Sequence, residues 1–180
     1  GSVPLWRKVA AAMLTLCLTA GQLALPARAA GGVGPGHSGH DGAEALQAKT
    51  TATTRNISAN TDLYLEEDIT TKEIFKISGE GVVVNLCLNG HALAYSGAST
   101  TLITVGAGAE LNICDCSGQT TAVPSQPDGT VIDIAAGRIS STKAIVNNAG
   151  TFNLHSGALT GCSSTTTTAV TNTSTGTFHM

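Results

Sequence analysis

Aromatic side chains make up only 3% of the 180 residues and charged ones only 12%, although 42% are hydrophobic. A helical bundle of this size would carry more charge, with Glu, Lys and Leu at helical spacing. No window after residue 60 sustains apolar positions at i, i+3, i+4 and i+7, so that architecture is excluded. Charge of either sign is also lacking. The formal net charge is −3, with no basic footprint for nucleic acid and no acidic run. In their place stand 21 glycines and abundant Thr, Val, Ile and Asn, a composition suited to short strands closed by turns.

The N-terminus has the pattern of an export signal. Arg7 and Lys8 precede an apolar stretch over Val9–Leu25, and Ala27-Arg28-Ala29 supplies an A-x-A site, so cleavage is expected near Ala29. Gly21 and Gln22 interrupt the stretch, which is too short for a good membrane span, and the mature chain is expected to have no integral membrane span. A lipoprotein signal through Cys17 is disfavoured by bulky Leu16 before it. Residues 30–58 are expected to be a flexible linker, because the Gly-rich part up to residue 45 has almost no large apolar group to offset its ordering entropy. His37, His40 and Asp41 lie there. Without a third strong ligand on an ordered element they read as a solvated loop, and no metal ligand is assigned.

The informative part is repetitive. Five segments place a polar residue between two apolar ones: Val84-Asn85-Leu86, Leu111-Asn112-Ile113, Ile132-Asp133-Ile134, Phe152-Asn153-Leu154 and Phe178-His179-Met180. Their last residues recur every 20 to 27 positions. Apolar–polar–apolar at period 2 turns one face inward and one outward. Apolar patches also precede four of the segments (Ile74–Ile77, Leu102–Val105, Ala144–Val146 and Ala169–Val170), and Leu93, Ile139 and Leu159 each come just after a glycine turn. Three short strands per turn describe an all-β chain coiled as a parallel β-helix, a solenoid over 59–180. A β-sandwich would also give short alternating strands, but it would not require one rung-sized period.

Leu86-Cys87-Leu88-Asn89-Gly90-His91, Asp115-Cys116-Ser117-Gly118 and Gly150-Thr151-Phe152-Asn153-Leu154 resemble repeats of large secreted surface proteins from gut Firmicutes. The resemblance covers roughly 62–180 and implies a right-handed, single-stranded parallel β-helix of the pectin-lyase-like type. Ser156-Gly157-Ala158 departs from the paired glycines of such repeats. The last repeat stops in mid-strand, and the expectation is a chain truncated at its C-terminus.

Cys87 and Cys114 each follow the last inward residue of their triplet, so both are expected to point outward one rung apart. Neighbouring strands lie about 4.7–4.9 Å apart, within disulfide reach. A Cys87–Cys114 disulfide and a ladder of free thiols both remain open; Cys116 and Cys162 have no assignable partner. His155 occupies the equivalent position two repeats beyond Cys114, with Ala135 between, which is too far to share an ion. Asp133 and Arg138 read as a surface pair, and no cluster of acids emerges, so no catalytic residue and no cofactor are assigned. The expected function is a non-enzymatic secreted or cell-surface scaffold, adhesive toward glycans or host polymers. Two alternatives stand: part of a polysaccharide lyase or glycoside hydrolase with its catalytic rungs beyond residue 180, or a purely structural spacer.

Overall fold

The computed structural model describes residues 33–34, 36–124, 129–162 and 167–180. The chain divides into Gly1–Ala30 and Gly31–Met180, and every described strand lies in the second unit. The expected signal peptide over 1–29 lies outside the described residues. Among the described residues every regular element is a strand, and no helix is long and apolar enough to cross a membrane.

Seventeen strands succeed one another: β1 (Glu44–Ala45), β2 (Thr54–Ile57), β3 (Thr61–Tyr64), β4 (Ile69–Thr71), β5 (Ile74–Ile77), β6 (Val83–Cys87), β7 (Ala92–Tyr95), β8 (Thr101–Val105), β9 (Glu110–Cys114), β10 (Thr120–Pro124), β11 (Val131–Ala135), β12 (Arg138–Ser141), β13 (Ala144–Asn148), β14 (Thr151–Leu154), β15 (Ala158–Thr160), β16 (Val170–Asn172) and β17 (Thr177–His179). Fifteen of them form three parallel sheets. The first has the order β1-β3-β6-β9-β14-β17, the second β15-β12-β7-β4 and the third β16-β13-β8-β5-β2. Over β4–β9 and again over β12–β17 the chain visits the second, third and first sheets in turn, returning each time one strand further along.

Register explains why the triplets recur. Val84 pairs with Leu111 and Leu111 with Phe152; Leu86 pairs with Ile113 and Ile113 with Leu154. Like side chains therefore stack on like, and Leu63, Val84, Leu86, Leu111, Ile113 and Phe152 are all buried. Ile69, Leu93 and Ile139 from the second sheet and Phe75, Ile77, Ile103 and Val105 from the third close the same core. Each such side chain contributes about 1.5–3 kcal/mol by leaving water. Between strands, Gly81 and Gly108 take equivalent corners with φ of 73° and 75°, a left-handed conformation that side chains with a Cβ resist. Gly150 is required for closeness instead: a Cβ there would be driven into the carbonyl oxygens of Ala109 and Gly106.

Two expectations about layout change. Ile132-Asp133-Ile134 does not join the first sheet. It lies in β11, paired antiparallel with β10 in a separate two-stranded sheet, where Val131 and Ile132 are exposed. The next neighbour of β9 is therefore β14. Alternation shows that a strand has two faces, but it does not choose the partner. The stretch expected to be a flexible linker, 30–58, contributes β1 and β2 to two of the sheets, and Lys49 bridges to Thr71. Leu46 and Ile57 there enter the core.

Candidate metal centre

Asn85 and Asn112 point away from the apolar core yet are nearly inaccessible to solvent, and they belong to a row of side chains bonded along the stack. Asn85 Nδ2 donates to Asp62 Oδ1 at 2.6 Å, Asn112 Nδ2 to Asn85 Oδ1 at 3.0 Å, and Asn153 Nδ2 to Asn112 Oδ1 at 2.8 Å. Each amide offers a donor and an acceptor at the strand repeat, so the row satisfies itself.

Two positions beyond the row come Cys87 and Cys114, register partners on β6 and β9. Their side chains are buried, not in the main core but in a small cluster with Val33, against which Ala43 and Tyr64 pack. Val33 and Ala43 thus cover the outer face of the first sheet at Tyr64, Cys87 and Cys114. His40 stacks on Tyr64 with ring centroids 4.5 Å apart and planes 10° apart.

This covering brings two histidines onto the cysteines. His37 Nε2 lies 3.2 Å from His40 Nε2, and His40 Nε2 lies 3.6 Å from Cys116 Sγ. Cys116 Sγ in turn lies 3.3 Å from Cys87 Sγ. One ligand atom from each of His37, His40, Cys87 and Cys116 fits within 4.8 Å of all the others. No family, curated protein or solved structure matches this chain. The site must be read from its own chemistry.

Each ligand is held by a distinct element. Cys87 ends β6, whose next residue Leu88 is tied by its N–H to the Cys114 carbonyl at 2.7 Å. Cys116 sits on a turn organised by Asp115, whose Oδ1 accepts from the N–H groups of Gly90 (2.8 Å) and Ser117 (3.1 Å) and whose Oδ2 accepts from Gly137 N–H (2.9 Å). Burial pushes the Asp115 carboxyl upward, but these backbone donors outweigh it and hold the group below the usual carboxylate range. His37 Nδ1 meets the Gly34 carbonyl, which leaves Nε2 facing His40.

Burial, then the neighbouring His37, lowers the pKa of His40 below its ordinary value and so favours the neutral imidazole. The Cys87 thiol is pushed up first by its contact with Cys114 and then by burial. Burial and the Cys87 thiol push Cys116 up to about 12. No disulfide joins any two of the four described cysteines.

The structure brings some of the sequence-derived candidates together and separates others. Cys87 and Cys114 are adjacent, as their spacing implied, but the sulfur at 3.3 Å from Cys87 belongs to Cys116, which had no assigned partner. His155 is one strand from Cys114, not two, because β11 leaves the first sheet. It lines the same pocket as His37, Cys114 and Cys116, yet its Nε2 engages Asn112 Oδ1 at 3.0 Å. Asp41 is outside the group of four. Arg138 donates to the Ala136 carbonyl at 3.1 Å, and Cys162 to that of Lys143 at 3.4 Å. The signals that could have found the cluster were the H-x-x-H of His37 and His40 and the recurrence of cysteine just after two aligned triplets, at Cys87 and at Cys114 with Cys116 beyond it. Neither is specific until the fold joins them.

Proposed function

We propose that this chain is a non-enzymatic scaffold, secreted or displayed at a cell surface, whose parallel sheets coil as a right-handed β-helix of the pectin-lyase-like type and present a polar face to glycans. The observation that carries the reading is a row on the third sheet. Asn56, Lys76, Thr104, Asn147 and Thr171 stand in register on β2, β5, β8, β13 and β16, all at least partly exposed. Strand spacing sets these amide, ammonium and hydroxyl groups about 4.8 Å apart. A regular line of donors and acceptors on a stiff backing suits an extended hydroxyl-rich polymer, since little side-chain or backbone entropy is lost on contact.

The polar groups of the first sheet are by contrast engaged with one another through the Asn row, which favours a structural role for that face. The test is a panel of acidic and neutral polysaccharides, assayed for both binding and cleavage. Saturable binding without cleavage, weakened at least severalfold by Lys76→Ala with Asn147→Ala, is the expected result. Depolymerisation would replace the proposal with an enzyme of carbohydrate breakdown. Neither binding nor cleavage would leave a spacer.

A further inference from the structure

We infer that His37, His40, Cys87 and Cys116 form a tetrahedral binding site for a divalent cation of the zinc type, which clips residues 36–43 onto the outer face of the first sheet.

The edges of the cluster carry the inference. Zinc binds thiolate sulfur at about 2.3 Å and imidazole nitrogen at about 2.0–2.1 Å, so a regular tetrahedron has edges of about 3.8 Å between sulfurs, 3.3 Å between nitrogens and 3.6 Å between sulfur and nitrogen. The separations here are 3.3 Å for Cys87–Cys116, 3.2 Å for His37–His40 and 3.6 Å for Cys116–His40. The other three pairs lie within 4.8 Å. Of the three edges above, only the sulfur–sulfur one departs from the ideal, and the two sulfurs need to part by about 0.5 Å, a side-chain rotation within one rotamer well. Two sulfurs and two imidazole nitrogens in this geometry select zinc over hard cations.

A second observation is independent of the ligand distances. Imidazoles that bind metals commonly give their other ring N–H to a carbonyl or carboxylate, which fixes the tautomer and aims the ligating nitrogen. His37 Nδ1 lies against the Gly34 backbone, closer to its carbonyl oxygen than to its N–H at 3.3 Å, and Nε2 is the ring nitrogen turned toward His40. The His40 ring is aimed by its stack on Tyr64, and Cys116 by the Asp115-centred turn. The four ligands come from three separate stretches of chain, and nothing else in their local sequence requires two imidazoles and two thiols to converge. All four coordination positions are filled by side chains, the pattern of a structural centre and not of a catalytic one, which keeps a position open.

The binding step balances simply. The cation takes two neutral imidazole nitrogens and two thiols, the thiols lose their protons to solvent, and no electron is transferred. The product carries no net charge, so it suits a site where Cys87 is buried.

The test is titration of the reduced, chelator-treated full chain with Co²⁺, followed by displacement with Zn²⁺. One equivalent of cobalt should give intense tetrahedral ligand-field bands and a thiolate-to-cobalt charge-transfer band, both abolished by one equivalent of zinc. Cys116→Ser and His40→Gln should each weaken binding at least tenfold, whereas Cys162→Ser and His179→Gln should not. Because Cys87→Ser replaces a buried group, circular dichroism accompanies every variant, and His40→Gln carries the test should Cys87→Ser unfold. Zinc should also slow proteolysis within 33–45 in the wild type but not in His40→Gln. A folded, reduced chain that gives only an octahedral cobalt spectrum or none would overturn the site. Full affinity in His40→Gln, or an equal loss in Cys162→Ser, would overturn this ligand set.

Discussion

Replacing Asn112 with Ala removes the central member of the amide row and tests whether that row holds the layers together. Asn112 makes four side-chain contacts. Its Nδ2 donates to Asn85 Oδ1 (3.0 Å) and Glu110 Oε1 (2.7 Å), and its Oδ1 accepts from Asn153 Nδ2 (2.8 Å) and faces His155 Nε2 (3.0 Å). These do not weigh equally. Asn85 is only 3% exposed, so its Oδ1 would be left buried without a donor, at about 1–3 kcal/mol. Glu110, Asn153 and His155 are nearer solvent, where water can substitute, and their loss costs about 0.5–1 kcal/mol in all. The expected destabilisation is therefore about 2–4 kcal/mol, measured by urea denaturation at neutral pH. Asn112→Asp should be as damaging, because it turns the donor toward Asn85 and Glu110 into an acceptor. A cycle with Asn85→Ala should return a coupling of about 1–2 kcal/mol. A loss below about 0.5 kcal/mol in Asn112→Ala would refute the premise that the row is closed to water.

Three further outcomes are expected from the same geometry. Gly150→Ala should lower stability by about 2–4 kcal/mol, through overpacking and loss of the 2.9 Å bond from Thr151 N–H to the Ala109 carbonyl, whereas Gly39→Ala, with open space around it, should leave the melting temperature unchanged. The Asp115 carboxyl is depressed in the folded chain, so its stabilisation is fully present above the unfolded value of 3.8 and is lost as pH falls through the lower folded value. The denaturation gap between wild type and Asp115→Asn should thus be about 1–3 kcal/mol at neutral pH and close under more acid conditions. In the reduced chain, zinc should protect Cys87 and Cys116 from alkylation by iodoacetamide while leaving Cys162 as reactive as before, read by peptide mass mapping; equal protection of Cys162 would count against a localised site.

Much of the layered arrangement was legible because side-chain alternation and glycine corners act locally. Val84-Asn85-Leu86 and Leu111-Asn112-Ile113 could be aligned from sequence, and their strands are register partners. Phe178-His179 likewise lies beside Phe152-Asn153, with the two rings stacked at 5.0 Å. Thr61–Tyr64 went unaligned because Asn60, not glycine, precedes it, although Asp62 belongs to the same row. Ile132-Asp133-Ile134 has the right alternation and the wrong neighbour. Its partner β10 was available through a short connection, and local pairing prevailed over stacking. That error hid the proximity of His155 to Cys114. The cluster itself was invisible for a different reason. His37 and His40 sit in a Gly-rich segment whose composition predicts no burial, and what orders them is a face supplied by Tyr64, Cys87 and Cys114 from strands further along the chain.

Along the Asp62–Asn85–Asn112–Asn153 row, consecutive members are 23, 27 and 41 residues apart, yet the amide contacts are of similar length throughout. The extra contour at the last step is taken up by the β10–β11 hairpin, which leaves the stack and returns without changing the register on either side. Layer thickness is therefore decoupled from the amount of chain spent per layer. Such a side branch can lengthen, shorten or acquire a new sequence while the layers above and below keep their alignment. In this fold it is the natural position for grafting a foreign peptide and for the divergence of one such scaffold from another.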